Sequence, residues 1–182
     1  MSTTIPSSIQ NNEQTEIVKR AFERNAQAVK LRPGIGKLTG RTKVSLPSGT
    51  KCEIDAGGWK FICDVSVSSG GTNEGPDPGP FGRGALGACL AIGYRTQAAI
   101  EGIDLGKIEV EVESDFDAAG YYGVSEVPPG YLAVRCNVTV ESRASEEEIR
   151  KVFDAAEQHS PWLDNFKRGM AVARNLKVIP TV

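Results

Sequence analysis

The segment PGPFGRGALGACLAIGYRTQAAIEG, Pro78 to Gly102, decides how the rest of the chain is read. Its core, Phe81 to Ile100, carries only two charged side chains, Arg83 and Arg95, and is apolar nearly all round, which predicts a helix buried at a domain centre. Small residues crowd it: Gly82, Gly84, Ala85, Gly87, Ala88, Ala91 and Gly93. Each interior Gly costs about 0.8–1 kcal/mol of helix propensity against Ala, so their number predicts another backbone passing close by. Close helix-on-helix packing, across a subunit boundary if need be, is the simplest source of that constraint.

At the middle of the segment sits one thiol, Cys89. Two readings stand side by side. A buried thiol commonly serves as a small hydrophobe, whereas a single Cys on such a helix is also a candidate nucleophile. Cys89 lies about two turns in, beyond the first turn where the helix dipole acts. Its neighbours one turn away are Ala85, Leu86, Ile92 and Gly93. A reactive thiolate here therefore needs a positive partner from elsewhere in the fold.

With 182 residues, 40% hydrophobic and 24% charged, at a net charge of −2, a single globular domain is expected, and the order of strands and helices along the chain makes it α+β. No cluster of Lys and Arg points to nucleic acid or to an anionic membrane. The start, MSTTIPSSIQNNEQ, has neither the basic nor the apolar run of a signal peptide. The expected location is the cytoplasm, where thiols stay reduced. Cys52, Cys63, Cys89 and Cys136 are widely spaced, without a CxxC pair, and His159 is the only histidine, so no metal and no cofactor are expected.

Along the chain, residues 1–12 are polar and expected to be disordered. Residues 13–35 read as a helical extension, with Ile17, Val18, Ala21, Phe22, Ala26 and Val29 on one face and Pro33-Gly34 as the stop. The domain proper, 36–182, begins with three strands, roughly 37–46, 50–56 and 59–68. Pro47-Ser48-Gly49 and Gly57-Gly58 are the turns between them. In the third strand Trp59, Phe61, Cys63, Val65 and Val67 are predicted to face the core, with Lys60, Asp64 and Ser66 outward. The loop 68–80 has little apolar content and no phosphate-binding pattern.

After the helix, KIEVEVES at 107–114 alternates strictly, which predicts a strand with Ile108, Val110 and Val112 buried and the glutamates in water. Residues 131–142 alternate again, placing Cys136 inward beside Val134 and Val138. Ser145 and Glu148 form a capping box for a helix to about Gln158. Pro161 starts a short helix to about Lys167, and 170–179 reads as a final strand.

Cys89 in ALGACLA, on a central helix after a three-strand meander and before two long strands, a helix and a Pro-initiated turn, resembles the OsmC/Ohr family over about residues 36–180. The resemblance implies an intertwined homodimer with antiparallel sheets around the buried helices. It also implies a thiol-dependent peroxidase whose helix Cys, here Cys89, attacks an organic hydroperoxide and becomes a sulfenic acid. By the same resemblance, an Arg of the early strand region holds the thiolate and the peroxide oxygens. Thr39-Gly40-Arg41 is the match, with Arg83 and Arg168 in reserve.

Two departures stand out. The family's resolving thiol sits in a Cys-Pro pair at the late helix break, and this chain has Ser160-Pro161. The acidic residue expected before the helix is replaced by Pro80-Phe81, leaving Glu74 as a stand-in. Three functions follow: a peroxidase resolved by an external thiol or dithiol, a catalytically silent dimer that binds an apolar small molecule, or a Cys89/His159 thiol enzyme of another reaction type.

Overall fold

In a computed structural model the backbone is described for residues 7–180 and the side chains for residues 13–180. The elements run α1 (Ser7–Leu31), β1 (Lys43–Ser45), β2 (Cys52–Ala56), β3 (Trp59–Cys63), α2 (Pro78–Glu101), β4 (Leu105–Asp115), α3 (Ala118–Tyr121), β5 (Ala133–Ser142), α4 (Glu146–Gln158) and α5 (Pro161–Lys167). Two antiparallel sheets, β1-β2-β3 and β4-β5, make the fold α+β as expected. No helix among the described residues is long and apolar enough to cross a membrane.

The core forms where three periodicities meet. On β4 and β5, Ile108 pairs with Val140 and Val110 with Val138, so the alternating valines make one apolar face. Leu86, Leu90 and Tyr94 of α2 and Val152 and Ala156 of α4 close over it. Tyr94 stacks on Phe153 with ring centroids 3.9 Å apart, and its hydroxyl donates to Glu157 Oε1 at 2.8 Å. Each large apolar side chain buried this way contributes about 1.5–3 kcal/mol. The opposite face of the sheet is wet: Arg135 bridges Glu113 and Asp115, and Lys107 pairs with Glu109.

Local signals set the ends of the helices. Asp77 caps α2 by accepting from Gly79 N at 2.8 Å, and Pro78 occupies the first turn, where a missing N–H costs nothing. The capping box of Ser145 and Glu148 is formed at α4. Within α2, a Cβ on Gly87 would stand 3.2 Å from Val112 Cγ2, so what favours a small residue there is a side chain of strand β4 rather than a second helix. Gly57 and Gly58, at φ +64° and +99°, make the tight turn between β2 and β3.

Several expectations are corrected. First, α1 starts at Ser7, so residues 7–12, expected to be disordered, are helical, because extending a helix already nucleated by residues 13–31 costs little per residue. Residues 1–6 lie outside the described residues. Second, residues 170–179 form no strand and are exposed, Val172 at 93%. Their alternation is real, but a strand needs a neighbouring edge to satisfy its backbone. Third, Trp59 (73% exposed) and Phe61 do not face a core: the three-stranded sheet presents them to solvent. Fourth, α2 is buried on one side only, with Gly84, Ala88 and Ile92 exposed, Ile92 at 68%. Fifth, Cys136 lies on the expected face, opposite Val112, but is exposed, because the apolar packing of α2 and α4 centres on Val110, Val138 and their neighbours further along the ladder. Cys63 is buried as expected.

Asp64, expected outward, is 2% exposed because β3 ends one residue earlier and the chain turns in. It accepts hydrogen bonds from Thr50 Oγ1 (2.7 Å), Val65 N (2.8 Å), Thr72 N (2.9 Å), Thr72 Oγ1 (2.8 Å) and Glu74 N (3.3 Å). One carboxylate thus organises a loop that has almost no apolar content. The hydroxyls of Thr50 and Thr72 hold its pKa well below the usual carboxylate range. A group depressed on folding stabilises the fold above its unfolded pKa of about 4 and loses that effect as pH falls toward the folded value. Asp64→Asn should therefore lower the thermal midpoint at pH 7 by on the order of 5 °C, with the gap to the parent closing below about pH 4. Matching midpoints at pH 7 in a scanning calorimeter would reject this role.

Candidate active site

Leu86, Leu90 and Tyr94 turn one side of α2 toward the sheet, so Cys89 points away from it, toward the junction of α4 and α5. That junction follows from His159-Ser160-Pro161. Proline lacks the N–H needed inside a helix but suits a first turn, and it drives the residue before it into extended backbone. Ser160 adopts that conformation, at φ −79° and ψ 111°, and caps α5 by accepting from Leu163 N at 3.3 Å.

The cap brings Ser160 Oγ to 3.4 Å from Cys89 Sγ. Ser160 is 6% exposed and the thiol is partly exposed. A serine hydroxyl has one proton and two lone pairs. Since Leu163 N–H occupies a lone pair, the proton is free to be donated to the sulfur.

The other predicted residues are placed elsewhere. Arg41 is exposed in the segment before β1 and makes no hydrogen bond or ion pair among the described residues. Arg83 Nη1 donates to Ser114 Oγ at 3.2 Å, and Arg168 pairs with Asp164 at 2.6 Å. Glu74 belongs to the Asp64 loop, where it pairs with Lys51 and accepts from Thr72 Oγ1 at 3.0 Å. Lys51 and then Thr72 hold its pKa below the ordinary value. His159 caps α4 through its backbone, with an exposed side chain that makes no hydrogen bond among the described residues. Of the candidates, then, Cys89 and Ser160 meet directly. Asp64 was not foreseen; the one signal for it was a polar loop that had to be satisfied by some buried acceptor.

A thiol and a capping hydroxyl at the seam of a central helix and a late helix break, with a two-stranded sheet behind, define an α+β thiol protein. The OsmC-like protein family matches residues 71–174, more than half of the chain, and the chain belongs to that family. Solved structures agree on the fold. The chain is similar to an OsmC-like protein from Mycoplasma pneumoniae, with a TM-score of 0.63 at 16% identity, covering 72% of this chain and 89% of that one. It is also similar to an organic hydroperoxide resistance protein from Elizabethkingia anophelis, with a TM-score of 0.56 at 14% identity, covering 70% and 87%. An organic hydroperoxide resistance protein OsmC from Legionella pneumophila gives a TM-score of 0.52 at 15% identity, covering 71% and 90%. No curated protein sequence matches this chain.

Proposed function

We propose that this protein reduces organic hydroperoxides through Cys89 as one half of an intertwined cytoplasmic homodimer, and that an external thiol restores it. The observation that carries the reading is the 3.4 Å contact between Cys89 Sγ and the buried Ser160 hydroxyl, made at the helix break where the family carries its second thiol. Family membership and the hydroperoxide resistance proteins among its structural neighbours favour this substrate class.

Cys89 thiolate attacks the distal oxygen of R–O–OH, the O–O bond breaks, and the alkoxide leaves as the alcohol after taking a proton. Cys89 is then a sulfenic acid. Ser160 has no thiol to offer, so a small external thiol condenses with the sulfenate, releasing water, and a second one frees Cys89 as a disulfide departs. The hydroxyl of Ser160 steadies the attacking sulfur.

The cation comes from a second copy in this reading. No Lys, Arg or His among the described residues hydrogen-bonds or ion-pairs with Cys89 in its own chain, while Arg41 stands exposed without such a partner. The exposed Ile92 of α2, Trp59 and Phe61 of β3 and the apolar tail supply the surface such a dimer would bury. No nucleic acid or membrane enters the scheme. A Cys89/His159 pair has no hydrogen bond to support it.

Sub-stoichiometric cumene hydroperoxide with a sulfenate trap such as dimedone tests the reading. Peptide mass mapping should place the adduct on residues 84–95, which contain Cys89, and Cys89→Ser should abolish peroxide consumption. An unlabelled Cys89 peptide, with peroxide still consumed by the variant, would falsify it.

A further inference from the structure

A second pair of thiols lies outside the site built on Cys89. Cys52 opens β2 and Cys63 closes β3, and the two are directly opposite in the antiparallel register. Opposed residues project to the same face of a sheet, so their sulfurs share one side. Directly opposed Cα atoms stand about 4.5–5.5 Å apart, within the roughly 4.4–6.8 Å that a disulfide spans. Theirs is the last rung of the ladder, where the two strands end.

The two sulfurs are unlike in access. Cys63 is 6% exposed and Cys52 partly exposed; both are free thiols. Burial pushes the Cys63 thiol up, and Cys52 beside it adds to the effect. Asp64, next in the chain, is fully engaged by its own hydrogen bonds, and no third His, Cys, Asp or Glu among the described residues completes a metal-binding group. What remains at this position is a dithiol.

We propose that Cys52 and Cys63 form a dithiol site that a small disulfide of the glutathione class oxidises to a reversible cross-strand disulfide. Cys52, the accessible member, attacks one sulfur of the small disulfide and expels a thiolate. Cys63 then attacks the Cys52 sulfur of the mixed disulfide and expels the second. Two protein thiols are oxidised, one disulfide is reduced to two thiols, and the protons lost by Cys52 and Cys63 pass to the leaving thiolates. The site is independent of Cys89 and of the peroxidase reading.

The full-length protein, and its Cys89→Ser variant in parallel, would be equilibrated in mixtures of reduced and oxidised glutathione, blocked with an alkylating agent and digested with trypsin. Cleavage after Lys51, Lys60 and Arg83 puts Cys52 on residues 52–60 and Cys63 on 61–83. The expected product is these two peptides joined, two hydrogens lighter than their sum, in both proteins, and separated again by dithiothreitol. Cys52→Ser should leave Cys63 unmodified. Stable glutathione adducts on Cys52 with Cys63 free at every ratio, or Cys63 joined to a different cysteine, would overturn the assignment. Because the Cys89→Ser protein is expected to give the same link, loss of the peroxidase reading would leave this result intact.

Discussion

Ser160→Cys should turn Cys89 into half of a hydroperoxide-driven disulfide. The parent oxygen stands 3.4 Å from Cys89 Sγ, and a sulfur in its place must close to about 2.05 Å, which a longer C–S bond and a small χ1 rotation at a helix cap can supply. In the parent, one equivalent of cumene hydroperoxide should leave a sulfenate that dimedone captures. In the variant the new thiol attacks that sulfenate, water leaves, and dimedone labelling should fall at least tenfold. The linked peptides would be 84–95 and 152–167. Reduction should then require a dithiol where the parent accepts a monothiol. Losing the serine cap costs about 1 kcal/mol, too little to unfold the chain. Undiminished labelling of Cys89 with no linked peptide would mean that the contact at the α4–α5 junction is not present in solution.

A heterodimer carrying Cys89→Ser in one chain and Arg41→Ala in the other should recover about half of the parent activity, although each variant alone is nearly inactive. Removing a fixed cation that steadies developing charge costs on the order of 10²–10³ in rate, and lysine, which lacks the planar fork of arginine, should restore only part of it. If Cys89 of one chain works with Arg41 of the other, both lesions fall in the same site of the heterodimer and the second site is whole. Two affinity tags isolate that species after co-expression. An inactive heterodimer would place Arg41 beside its own Cys89, and an Arg41→Ala protein active on its own would place Arg41 nowhere near the thiol; either result would end the exchange of cations between copies.

Elements governed by local chemistry were legible from the residues alone. The alternation at Ile108-Val110-Val112, the capping box at Ser145 and Glu148 and the Ser160-Pro161 break each determine their own surroundings, and β4, α4 and α5 fall where they were read. Cys89 was singled out because it is the one thiol on the central helix. What escaped depends on something distant. Residues 170–179 have a strand's pattern without an edge to pair with, and Trp59 and Phe61 have a core pattern without a core above them. Asp64 escaped for a different reason: its five donors come from positions 50 to 74, and no periodicity marks a carboxylate that gathers hydrogen bonds from across a loop. The pairing of Cys52 with Cys63 became visible only once the Gly57-Gly58 turn fixed the register.

The uncovered segment from Met170 to Ile179 also bears on how the protein must be made. Val172, Leu176, Val178 and Ile179 remain in water, and an apolar stretch with unpaired backbone adheres to any open strand it encounters. If the proposed dimer buries this ribbon, newly released chains would meet their mates sooner when many are translated together, and scarcity would prolong the interval in which it is unprotected. For such a dimer, abundance itself would be a form of chaperoning.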